Sequence, residues 1–136
     1  MKIERTGLIL KTSRVEECIR FYRDVLECPV WFRNEGVTCL GICDTYILVE
    51  APDESAPPPS PSFILRLNVV DVRKEAEVLR SRGVDAWVDD FDWGTICTFF
   101  DPAGTKLELM EAHRFRREHR VRESSASDAS RHLAED

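Results

Sequence analysis

The sequence predicts an α+β fold built from two tandem βαβββ modules, and three observations carry that expectation. Tyr46-Ile47-Leu48-Val49-Glu50-Ala51 and Leu107-Glu108-Leu109-Met110-Glu111-Ala112 close two halves of similar pattern. Each closing run follows a strand-like segment, a helical stripe and further strand-like segments. Between them lies a proline-dense connector, stiff and extended, in which Pro57-Pro58-Pro59 is followed by Ser60-Pro61. A duplicated unit too small for its own core buries its apolar faces against a second copy.

The elements follow in order. Gly7-Leu8-Ile9-Leu10 reads as a strand, and Ser13-Arg14-Val15-Glu16 reads as a capping box that starts a helix. Val15, Cys18, Ile19, Tyr22, Val25 and Leu26 form one apolar stripe at three- and four-residue spacing, ending before Pro29. Val30 to Arg33, Val37 to Ile42 and Thr45 to Glu50 read as strands punctuated by Asn34-Glu35-Gly36 and Cys43-Asp44. The second copy begins with a strand from Phe63 to Val69. Asp71 then caps a helix that turns Val72, Ala76 and Leu79 inward and ends at Gly83. Ala86 to Val88, Thr95 to Phe100 and Lys106 to Glu111 supply the last strands, with Asp101-Pro102-Ala103-Gly104-Thr105 as the final turn.

A chain of 136 residues with 43% hydrophobic content supports one compact domain over 1–112, with module one at 1–51, the linker at 52–61 and module two at 62–112. Residues 113–136, rich in arginine and serine, read as a disordered tail. A net charge of -6 argues against nucleic acid as a partner. The start of the sequence lacks the apolar stretch of a secretion signal, and no run approaches a membrane span. The five cysteines, Cys18, Cys28, Cys39, Cys43 and Cys97, show no C-x-x-C pair, so they read as small core residues in a soluble, reducing, cytoplasmic setting. His113, His119 and His132 all follow the second repeat, leaving the body without imidazole for metal binding or proton transfer. A catalytic cysteine is therefore not expected, because a thiolate at neutral pH needs a neighbouring cation or a helix terminus.

Phe21-Tyr22-Arg23-Asp24-Val25-Leu26 and Phe100-Asp101-Pro102-Ala103-Gly104-Thr105-Lys106-Leu107-Glu108-Leu109 resemble the first-helix ending and the final hairpin of the vicinal oxygen chelate superfamily. That superfamily includes glyoxalase I, the bleomycin-resistance proteins and the extradiol dioxygenases. The resemblance covers Ile3 to Ala112, with one departure: Glu27 stands where the family usually has glycine. It implies curved mixed sheets around a cavity, with helices on the outer face. It also implies that metal-using members draw ligands from the first and last strands of each module. By position those slots fall on Glu108, Ile47, Ile64 and Gly7, or Thr6 if the register slips by one. Only Glu108 offers a competent side chain, and one carboxylate is a poor match for nickel, iron or manganese. The resemblance therefore implies no metal, with Glu108 the ligand if there is one; a rescue would need Asp89, Asp90, Asp92 or Glu35.

Strand alternation then assigns faces. With Glu108 inward, Lys106 and Met110 share its face, and the same parity sends Ile9, Lys11, Ile47, Val49, Ile64, Arg66 and Asn68 into the cavity. Arg66 either pairs with Glu108, so that a protein cation replaces the metal, or reaches solvent from a wide cleft mouth, and the sequence leaves both open. Trp31, Phe32, Trp87, Phe91 and Trp93 flank the cavity as walls for a flat ligand, or serve core and dimer contacts. Asp89 to Gly94 reads as a solvated hairpin loop, and Tyr22 and Tyr46 as structural hydroxyls. The expected function is binding of a small organic ligand by a homodimer without a cofactor, through Arg66, Glu108, Asn68, Ile47, Ile64, Met110, Trp31, Trp87 and Trp93. The alternative is a lyase, isomerase or dioxygenase dependent on Ni, Fe, Mn or Zn, with Glu108 as one ligand. A third class is an interaction module using the arginine-rich tail.

Overall fold

The computed structural model describes residues 2–55 and 63–112. Most of the linker, the tail and all three histidines lie outside the described residues. The described residues form two compact units, one comprising residues up to Leu65 with Phe100–Lys106, the other Arg66–Phe99 with residues 107–112.

In the first unit β1 (Gly7–Lys11) is followed by α1 (Val15–Arg20), which runs into a wider π-type turn at Phe21–Val25. β2 (Val30–Asn34), β3 (Val37–Ile42) and β4 (Thr45–Glu50) complete a sheet of order β1-β4-β3-β2. β1 runs parallel to β4, and β3 runs antiparallel to both of its neighbours. β5 (Ile64–Val69), α2 (Val72–Ser81), β6 (Trp87–Phe91), β7 (Gly94–Phe100) and β8 (Lys106–Glu111) repeat the pattern in the order β5-β8-β7-β6. Both modules are thus βαβββ with the same strand permutation, as the sequence predicts.

Two local expectations are corrected. The capping box at Ser13 and Glu16 does not form: Arg14 occupies the cap position with no side-chain cap, its N–H donates to Thr12 Oγ1 at 3.0 Å, and Glu16 pairs with Arg33 instead. Asp71, by contrast, caps α2 as predicted, accepting the Lys74 N–H at 3.1 Å. Asp89, Asp90 and Phe91 belong to β6, not to a loop, and pair with Ile96, Thr95 and Gly94. Cross-strand hydrogen bonds outweigh the low strand propensity of aspartate there.

The π-type turn shows in Leu26 donating its N–H to the Phe21 carbonyl at 3.2 Å and Cys28 donating to Tyr22 at 2.8 Å. It resolves at Glu27, whose φ of 59° is left-handed. This is the position where the resemblance leads one to expect glycine.

The first unit holds its helix and the Asp101–Thr105 turn together through a buried carboxylate. Asp101 is 5% exposed and accepts three hydrogen bonds: from Tyr22 Oη at 2.7 Å, Ala103 N at 2.9 Å and Thr105 N at 2.8 Å. Tyr22 itself is fully buried. Burial, with Asp101 alongside, pushes its phenol far above the ordinary range, so it stays a donor. Arg14 adds a bond from Nη1 to the Pro102 carbonyl at 2.8 Å.

Candidate functional site

Each sheet has one face toward its helix and one away from it. In the first sheet, Arg33 donates to Thr38 across the β2–β3 pair and also meets Glu16 of α1, so Thr38 and its β4 partner Val49 face the helix. Val49 and Ile47 are 0% and 3% exposed. The parity that sends Ile47 and Val49 to the cavity face is therefore corrected: they lie in the core beside α1. The reason is an offset of one residue in the repeat. Ile47 and Val49 match the buried Leu107 and Leu109, so Leu48, not Ile47, is the counterpart of Glu108. Leucine donates no better than isoleucine, so this slot still offers a cation nothing.

The helix-free face of the first sheet carries Tyr46, whose parity is opposite to that of Ile47 and Val49. Gly7 and Tyr46 are register partners, and a Cβ on Gly7 would sit 2.2 Å from the Tyr46 ring. On Gly41, a Cβ would sit 2.3 Å from the Trp31 ring. The two rings stand 6.4 Å apart at 52°, and the Arg5 guanidinium lies 5.5 Å from the centroid of Trp31. Two strand glycines thus let two aromatic rings settle onto the backbone, making an apolar platform with a cation over it. The first-strand ligand slot at Gly7 is covered by the Tyr46 ring. Glycines inside two strand-like runs are the signal that sequence reasoning had available and did not use.

On the second sheet, α2 binds the face of Val88 and Asp90, since Arg80 Nε donates to the Ala86 carbonyl at 2.9 Å and Arg73 Nη2 reaches Asp90 at 2.5 Å. Trp87, Asp89 and Phe91 point the other way, with their β7 partners Thr98, Ile96 and Gly94. In β8, Leu107 and Leu109 are buried, which sends Lys106, Glu108 and Met110 to the opposite face. Ile64, Arg66 and Asn68 are the exposed alternates of β5.

Arg66 and Glu108 meet. Glu108 Oε1 accepts from Arg66 Nε at 2.6 Å and Nη2 at 2.5 Å, and the Glu108 side chain is only 12% exposed. Of the two readings of Arg66, the pair is the one the fold builds. A guanidinium fork on a largely desolvated carboxylate is a strong, oriented contact. The carboxylate is therefore engaged by a cation already.

Trp87 is 42% exposed on the edge strand β6, and Phe91 stacks on Trp93 with ring centroids 4.9 Å apart and planes within 6°. Trp31 belongs to the first sheet. Among the described residues no group of three histidine, cysteine or acidic side chains is placed to hold a metal ion. The rescue ligands do not assemble either: Asp90 is taken by Arg73 and by Thr95 Oγ1 at 2.9 Å. The donor set does not fit a divalent ion, because Gly7, Leu48 and Ile64 bring no electron pair and Glu108 is ion-paired.

A family model for the glyoxalase/bleomycin resistance protein/dioxygenase superfamily matches residues 3–109. No curated protein matches the chain. Among solved structures, TnmS3, an antibiotic binding protein from Streptomyces sp. CB03234, is similar at 23% identity with a TM-score of 0.68, over 82% of this chain and 98% of that one. Lactoylglutathione lyase from Agrobacterium tumefaciens is similar at 17% identity and a TM-score of 0.64, over 82% and 96% of the respective chains. A glyoxalase/bleomycin resistance protein from Streptomyces sp. CB03234 matches at 22% identity and a TM-score of 0.63, over 79% of this chain and 100% of that one. Likeness at these identities speaks for the fold. No helix among the described residues is long and apolar enough to cross a membrane.

Proposed function

The chain belongs to the glyoxalase/bleomycin resistance protein/dioxygenase superfamily, and from that premise we propose that it is a binding member that works without a resident metal. It takes a small, flat, partly aromatic ligand with an anionic or hydrogen-bonding group on the helix-free face of its second sheet, and it does so as a homodimer. The observation that carries this reading is the Arg66–Glu108 pair: a guanidinium sits where catalytic relatives would need a cation held by several ligands. Arg66 Nη groups and Asn68 offer donors to the polar end of the ligand, while Met110 and Trp87 offer it apolar surface. The Trp31–Tyr46 platform supplies a stacking surface of its own. The antibiotic binding named for the similar Streptomyces protein supports a small-molecule ligand. Exposed Val30, Trp31 and Phe32 on the edge strand β2 support association with a second copy.

The test combines metal analysis of the purified protein with titration of 8-anilinonaphthalene-1-sulfonate, a flat anionic aromatic probe read by its own fluorescence. Saturable binding without stoichiometric metal is expected. Arg66→Glu and Glu108→Lys should each weaken binding about tenfold or more, equivalent to ~1.4 kcal/mol. Stoichiometric nickel, iron, manganese or zinc that is lost in Glu108→Ala would overturn the proposal. Silence of both charge reversals would remove the pair from the site.

A further inference from the structure

The corner where β2 and β3 begin and end brings two cysteines into one neighbourhood. Val30 pairs with Leu40, and the Gly41 N–H donates to the Pro29 carbonyl at 2.8 Å, extending the ladder by one position. The next step of that antiparallel register sets Cys28 beside Ile42, immediately before Cys43, which opens the turn into β4. Cys43 has a left-handed φ of 50°, which turns the chain out of the strand direction, and it is exposed. Cys28 is buried at the end of the π-type turn, fixed through its N–H to the Tyr22 carbonyl. Burial pushes the Cys28 thiol up to about 11, and charge on Cys43 adds to the rise, as two neighbouring sulfurs require.

We propose that Cys28 and Cys43 are a redox pair that closes to a disulfide when the exposed Cys43 meets a hydroperoxide. The exposed Cys43 gives up its proton to solvent as its sulfur attacks one peroxide oxygen; the O–O bond breaks, Cys43 becomes a sulfenic acid, and the leaving hydroxide takes up a proton as water. The Cys28 sulfur then attacks the sulfenic sulfur. The S–S bond forms, the S–O bond breaks, and the departing hydroxide takes the Cys28 proton as a second water. Two thiols lose two electrons and one hydrogen peroxide gains them. Roles divide by accessibility: Cys43 reacts first because solvent reaches it, and Cys28 resolves because burial shields it from the oxidant and leaves it a thiol when Cys43 is oxidised. Cys18, Cys39 and Cys97 are at most 2% exposed, which shields them from the oxidant. The bond would tie the start of β2, which carries Trp31, to the β3–β4 turn. The proposal does not depend on ligand binding.

The test uses the full chain freed of reductant, treated with equimolar hydrogen peroxide, trapped with iodoacetamide, digested without reduction and mapped by mass spectrometry. The expected product is a Cys28–Cys43 cross-linked peptide pair, two hydrogens lighter than the reduced peptides and separated again by dithiothreitol. Cys43→Ser should abolish the link, and Cys28→Ser should leave Cys43 as a sulfenic acid captured by dimedone, with circular dichroism confirming both folds. If Cys28→Ser does not fold, the wild-type map and Cys43→Ser decide. Over-oxidised Cys43 alongside a free Cys28 thiol, or Cys43 linked to a different cysteine or a second chain, overturns the proposal.

Discussion

Tyr22→Phe removes one oxygen from the buried contact that joins the first helix to the Asp101 turn, and its cost follows from the geometry. Tyr22 is the donor on Asp101 Oδ2, whereas Ala103 and Thr105 both donate to Oδ1. The substitution takes the side-chain donor from one oxygen of a carboxylate that is 5% exposed and leaves the other oxygen as it was. A hydrogen bond to a charged group contributes about 1.5–3 kcal/mol, so roughly 2 kcal/mol of stability should be lost. Asp101→Ala should cost more, roughly 3–5 kcal/mol, because it strands the fully buried Tyr22 hydroxyl and two backbone donors together. Asp101→Asn keeps the shape and allows the amide to donate to the tyrosine oxygen, so its cost should fall below that of alanine. Urea denaturation of the three variants and of the Tyr22→Phe, Asp101→Asn double variant measures the coupling. A Tyr22→Phe variant within ~0.5 kcal/mol of wild type, as an ordinary surface change would be, refutes the reasoning.

Glu27→Gly should stabilise the protein by about 1 kcal/mol, since φ at 59° is strained for a side-chain-bearing residue; a rise in the urea midpoint at unchanged slope checks it. Gly7→Ala should destabilise by roughly 1–3 kcal/mol through collision with the Tyr46 ring, and much of that loss should vanish in a Tyr46→Ala background, where strict additivity would argue against the contact. Asp90 is held below the usual carboxylate range by hydrogen bonds from Arg73 and then Thr95. Because its folded value is depressed, the stabilisation it gives is present above the unfolded value near 3.8 and fades as pH falls through the folded one. Carboxyl NMR titration should place the Asp90 midpoint lower in wild type than in Arg73→Met.

Periodicity and punctuation in the sequence determine what elements exist and how they repeat. Alternating residues mark β8, three- and four-residue spacing marks α1 and α2, and Gly83 and Gly104 sit at left-handed turns with φ of 82° and 88°. The Arg66–Glu108 pair was within reach of the same logic, because both residues interrupt apolar strands at the same parity. What failed is the absolute phase of β4. Tyr46, Ile47, Leu48 and Val49 are apolar on both faces, so alternation carries no mark, and only the covering helix on one side and Gly7 under the tyrosine ring on the other decide which residues are core. The Ser13 box was lost for a related reason: a local pattern competes with long-range partners, and Arg33 took the Glu16 carboxylate it needed. Local chain statistics thus set the elements, while phase, cap choice and the company of each charge depend on contacts between residues far apart in sequence, which only tertiary packing brings within bonding distance.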